Sequence, residues 1–71
     1  MYLGMMNEGE RARVVSIHGG HGLRQKLSLR GIFEGSIVRV ISRRGPTTIE
    51  VNRNIVTIGR GMARKIRVVR M

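Results

Sequence analysis

The stretch Arg24-Gln25-Lys26-Leu27-Ser28-Leu29-Arg30-Gly31-Ile32-Phe33-Glu34-Gly35-Ser36-Ile37-Val38-Arg39-Val40-Ile41 constrains the fold more than any other part of the chain. It spells a short helix that stops at a glycine, turns, passes a second glycine and enters a strand. Gly31 suits the position just past a helix end, where the backbone turns left-handed and only glycine does so without a Cβ penalty. With Gly31 there, Leu27 sits in the last turn and meets Ile32, two residues past the helix end. Arg30 places a cation at the negative end of the helix dipole. Gly35 then permits the turn into a strand over residues 37–41.

The rest of the chain reads as short strands joined by turn signals. Leu3, Met5 and Met6 form an apolar opening that packs a short turn on the core, and Glu8-Gly9-Glu10 reads as a turn. Arg11–Ile17 is rich in β-branched residues. His18-Gly19-Gly20-His21-Gly22 reads as a loop, followed by the helix over residues 23–30, where Leu23 and Leu27 share a face. Residues 36–42 form a strand, Arg43-Arg44-Gly45-Pro46 a turn, and Thr47–Val51 a strand with Ile49 and Val51 inward. Asn52-Arg53-Asn54 is a tight connection into a strand over 55–58. Residues 59–64 make one helical turn around Met62 and Ala63, and residues 65–70 form the last strand. Five short strands at regular spacing predict an all-β fold, a small sandwich or barrel of five strands with a short helix between strands 1 and 2 and a helical turn before the last strand. Five strands in so short a chain favour a closed or nearly closed barrel, which also removes exposed strand edges.

Seventy-one residues make one domain, 1–71, with one modest core. With one Tyr, one Phe and no Trp, that core must be Val, Ile, Leu and Met. The absence of cysteine excludes a disulfide framework and a thiolate metal site, and fits a reducing cytoplasm. No apolar run approaches the ~20 residues of a membrane helix. The N-terminal residues lack a basic lead and a long apolar stretch, so a signal peptide is not expected.

Charge is the loudest bulk feature: 14 Lys+Arg against 4 Asp+Glu, a formal net charge of +10. Such a balance draws polyanions and speeds encounter with acidic surfaces. Yet the arginines are spread along the chain beside apolar residues, as on the solvated outer faces of strands. Tyr2 and Phe33 stand alone as platforms for base stacking. Non-specific contact with polyanions is therefore expected ahead of sequence-specific nucleic-acid binding.

Candidate chemistry is thin. His18 and His21 flank a glycine pair and would hold a divalent metal only if Glu8, Glu10 or a neighbouring molecule supplied further ligands. Two histidines without a third firm ligand make a weak site, so they read first as polar loop residues and no cofactor is expected. Gly19-Gly20-His21-Gly22 lies where phosphate-cradling loops sit, but lacks both G-x-x-x-x-G-K-[ST] and the full G-x-G-x-x-G. The chain has no Asp, and Ser16 near His18 finds no third member for a triad. The reading is a non-enzyme.

Several blocks taken together resemble the FeoA family of small ferrous iron transport accessory proteins. They are Gly9 closing an apolar segment, Val14-Val15, Arg24-Gln25-Lys26-Leu27 and Leu29-x-Gly31-Ile32-x-x-Gly35. The series continues with Val38-x-Val40 and Ile58-Gly59-Arg60-Gly61-Met62-Ala63-x-x-Ile66-x-Val68. Glu34 stands where the family frequently has proline, and the loop at Arg43-Arg44-Gly45-Pro46 is shorter than the family's. The resemblance implies an SH3-like β-barrel and a non-catalytic role on FeoB, a ferrous iron transporter with a cytoplasmic G-protein domain. It implies a cytoplasmic protein recruited to the inner face of the membrane by that transporter. On this reading the helix docks, with Arg24, Gln25, Lys26 and Arg30 facing outward and Leu27 either fixing the helix or adding apolar contact. The alternative is a basic SH3-like barrel that binds RNA or another polyanion. The SH3-like domain of metal-dependent repressors is similar too, and a free-standing version of it is the lesser expectation. Exposed Met and Leu near the N-terminus leave room for self-association.

Overall fold

Alternation of apolar and polar residues over five short segments produces five strands, β1 (Arg11–Ile17), β2 (Ile37–Ser42), β3 (Thr47–Val51), β4 (Asn54–Ile58) and β5 (Ile66–Arg70). The computed structural model describes residues 1–71. Between β1 and β2 lies helix α1 (His21–Ser28), between β4 and β5 the one-turn helix α2 (Arg60–Ala63), and ahead of β1 a single 3-10 turn, Leu3–Met5. All strand pairings are antiparallel, and the sheet order is β4-β3-β2-β1-β5.

The inward side chains of all five strands meet in one cluster. It joins Ala12, Val14 and Ile17 of β1 with Val38, Val40, Ile49, Val51, Val56, Ile58, Ile66 and Val68, and is completed by Leu3, Met6, Leu27, Ile32 and Ala63. Leu3 and Met6 are therefore not the exposed N-terminal residues expected to serve self-association, because the 3-10 turn packs them on the core and leaves Met5 outward. Aliphatic residues make this core, as the scarcity of aromatics requires. The fold is the small five-stranded barrel that the strand spacing predicts, in the SH3-like form that the resemblance implies.

β1 carries a bulge. Val14 pairs with Val68 and Ser16 with Arg67, which leaves Val15 as the extra residue. The bulge shifts the alternation, so Val14 and Ile17 both face the core while Val15 is exposed.

Closure is incomplete. No ladder joins β4 to β5, so the sheet retains two outer edges. The β5 edge is covered from within the chain: Val68 N–H donates to the Met1 carbonyl at 2.8 Å, and Tyr2 bridges to Arg67. The β4 edge has no such cover. The barrel is thus nearly closed: the chain crosses from β4 to β5 through the helical turn between Gly59 and Lys65, and the edge of β4 stays unpaired.

Candidate functional site

Helix α1 ends as its residues dictate. Gly31 has φ +82, its N–H donates to the Ser28 carbonyl at 3.0 Å, and Ile32 N–H donates to the Leu27 carbonyl at 2.9 Å. These are the paired 5→2 and 6→1 bonds of a Schellman ending, with Leu27 and Ile32 both buried in the core. The start differs from expectation. The helix begins at His21, two residues earlier than the first apolar position, because Gly20 takes the extended N-cap conformation and the following His-Gly pair joins the first turn. No side chain caps it, so nothing in the polar chemistry of the loop marks this boundary.

Past the helix, Ser36 organises the corner. Its hydroxyl donates to the Gly31 carbonyl at 3.0 Å and accepts from Phe33 N–H at 3.0 Å. Ser36 is buried, and these two bonds satisfy backbone groups that the turn would otherwise leave without partners.

The residues expected to face a partner separate into three kinds. Leu27 is 1% exposed, so it anchors α1 and offers no contact area. Arg24 works inside the molecule. Its guanidinium donates to the Ile17 carbonyl at 3.0 Å and pairs with Glu34 at 3.0 Å, which ties the helix to the end of β1 and to the corner. Glu34 thus fills the frequent proline position with an ion-pair partner. Gln25, Lys26 and Arg30 are exposed, and none makes a side-chain hydrogen bond or ion pair within the chain. Beside Lys26 and Arg30 stands Leu29, 83% exposed, which the sequence reading did not single out. Its position two residues beyond Leu27, off the face that Leu23 and Leu27 share, is the available signal.

The histidines do not converge on a metal site. His18 Nε2 lies 3.3 Å from the Ser16 hydroxyl and its ring stands edge-on to Tyr2, whereas His21 opens α1. No group of three or more His, Asp or Glu side chains comes together. No helix is long and apolar enough to cross a membrane.

Electrostatically the surface is one-signed. Each of the four carboxylates is engaged within the chain: Glu34 with Arg24, Glu50 with Arg39, Glu10 with Arg70, and Glu8 with the backbone N–H of Arg43. Most of the cations are left without a counter-charge.

Residues 1–70 match the FeoA domain. A Methanocaldococcus jannaschii protein named "Putative Fe(2+) transport protein A" is 40% identical over 67 residues, which cover 93% of this chain and 82% of that protein. The crystal structure of an iron uptake regulatory protein, FeoA, superposes with a TM-score of 0.91 at 36% identity, covering 97% of this chain and 93% of its own. A manganese-dependent transcriptional repressor in complex with manganese superposes over all of this chain with a TM-score of 0.92, at 24% identity and over 36% of the repressor. That last likeness is one of fold alone.

Proposed function

Because the chain belongs to the FeoA family, we propose that it is a non-catalytic accessory protein of ferrous iron transport that docks on the cytoplasmic G-protein region of a FeoB-type transporter. The outward face of α1 is the docking element. The observation that carries this reading is the state of Gln25, Lys26 and Arg30: three exposed polar side chains with no intramolecular partner, two on α1 and one in the turn that ends it, all held in one orientation by Leu27 and the Gly31 ending. Side chains already free of internal partners give up no bond on meeting a partner, while the locked helix lowers the cost of ordering them. On this reading the protein works in the cytoplasm and reaches the membrane through the transporter.

The test is binding of the transporter's isolated cytoplasmic domain to Gln25→Ala, Lys26→Ala and Arg30→Ala variants. Arg24 is unsuitable, since its loss would also release α1 from Ile17 and Glu34. Weakened binding with an unchanged fold is expected, and full affinity in the triple variant would remove α1 from the interface. The uncompensated positive surface supports a second reading, contact with RNA or another polyanion. A salt titration separates the two: non-specific polyanion binding falls steeply with salt and shows no sequence preference.

A further inference from the structure

The uncovered edge of β4 has a defined chemistry. Asn52 and Arg53 both have positive φ, 50 and 67, and connect β3 to β4 in a two-residue turn. In such a hairpin the flanking pair, Val51 and Asn54, is hydrogen-bonded, and bonded and non-bonded pairs then alternate. Asn54, Val56 and Ile58 therefore direct their backbone groups to β3. Ile55 and Thr57 direct theirs outward, away from the sheet.

Natural edges are usually blunted by lysine, proline, a bulge or a covering segment. β4, Asn-Ile-Val-Thr-Ile, has no charge and no proline, and its register with β3 is unbroken. Ile55 is 60% exposed. Two open grooves flank this edge. One, of about 460 Å³, runs between Leu29-Arg30-Gly31 and residues 54–57. The other, of about 340 Å³, lies between Lys26, Leu27, Leu29, Arg30 and Thr57, Gly59, Met62. No carboxylate lines either groove, and Leu29 and Arg30 line both. A helix end facing an open strand edge across a groove is the arrangement in which an extended peptide adds to a sheet: backbone bonds on one side, side-chain contacts on the other.

We infer that β4 accepts an extended segment of a partner protein as an additional strand, with apolar side chains against Leu29 and Ile55 and acidic ones toward Lys26 and Arg30. The inference rests on the docking reading above and places that docking at the junction of α1 with β4. Charge selects the occupant. A second copy would bring another +10 molecule, with its own Lys26 and Arg30, against this edge, whereas an acidic segment is attracted to it.

The experiment uses the full chain and the cytoplasmic domain of the FeoB-type transporter. Affinity is measured for the wild type, Thr57→Pro and Leu29→Glu, together with amide hydrogen exchange of the wild type with and without that domain. Thr57→Pro removes an outward N–H while sparing the bonds to β3. Leu29→Glu alters an exposed side chain and keeps the comparison intact if the proline variant does not fold. The expected result is protection of the Ile55 and Thr57 amides on binding, and a loss of affinity of roughly tenfold or more in each folded variant, the equivalent of one hydrogen bond or one apolar contact. Wild-type binding that neither variant weakens and that leaves both amides unprotected overturns the strand-addition proposal and leaves docking standing. Absence of wild-type binding overturns both. A wild-type dimer in sedimentation that Thr57→Pro abolishes assigns the edge to a second copy and overturns the acidic-partner proposal.

Discussion

At the scale of single residues, two positions carry more conformational consequence than their identity announces. Arg53 occupies a left-handed conformation, φ 67, in a turn whose second position is best filled by glycine. Replacing it, Arg53→Gly, is expected to raise stability by about 0.5–1 kcal/mol by removing the Cβ strain and one uncompensated charge. The midpoint of chemical denaturation should rise with its slope unchanged, and a fall would mean that the guanidinium supports the hairpin. Ser36 works in the opposite sense. Its hydroxyl bridges Phe33 N–H and the Gly31 carbonyl, so Ser36→Ala should cost roughly 1–3 kcal/mol, the penalty for leaving partly buried backbone groups without partners. For a domain of this size each kcal/mol moves the melting temperature by about 4–8 °C, so thermal melts resolve it. Neither role was legible in the sequence. A lone serine beside a glycine looks like any turn residue, and an asparagine-rich turn gives no sign that the arginine between the asparagines is also left-handed.

At the scale of elements, legibility follows the range of the forces. The end of α1 was readable because every participant, Leu27, Gly31 and Ile32, lies within six residues and the bonds are local. The bounds of β1 and β3 were likewise readable to the residue, and in β3 an unbroken alternation sets one buried face. The start of α1 was not, because a glycine cap leaves no side-chain signature. The Val15 bulge was not, because it exists only against β5, more than fifty residues away. Arg24 illustrates the same limit within the site. Exposed helix chemistry predicted an outward contact, whereas the carbonyl it meets belongs to β1 and the carboxylate to the corner. Two substitutions, one in the last turn of α1 and one at its C-cap, separate anchoring from surface. Leu27→Ala should destabilise the fold by about 2–5 kcal/mol, as core truncations do. Leu29→Ala should stay within about 0.5 kcal/mol of the wild type, since the side chain is nearly all in solvent. Equal losses in urea denaturation would mean that the helix is held by both residues and that Leu29 is not free to meet a partner.

At the scale of the whole molecule, the imbalance of charge acts on stability as well as on encounter. With all four Glu side chains engaged and a net charge of +10, the remaining arginines repel one another across a body only 29 × 22 × 22 Å. The body is only two to three Debye lengths across, the Debye length being about 10 Å at 0.1 M salt. Raising the salt toward ~0.5 M should therefore raise the melting temperature as repulsion is screened, at the expense of the three surface ion pairs, each worth little. A melting temperature that falls with salt would show those pairs outweighing the repulsion. The coverage of β5 by Met1 and Tyr2 has a consequence in time. β2, β3 and β4 follow one another through short turns, so their pairings close small loops. The β1–β5 ladder and the Met1–Val68 bond instead close nearly the whole chain, a search that the rest of the fold must first shorten. Met1 and Val68 thus form a clasp whose fastening is expected after the central hairpins have paired, and pulsed amide exchange during refolding that protects Val68 no later than Ile49 would refute it.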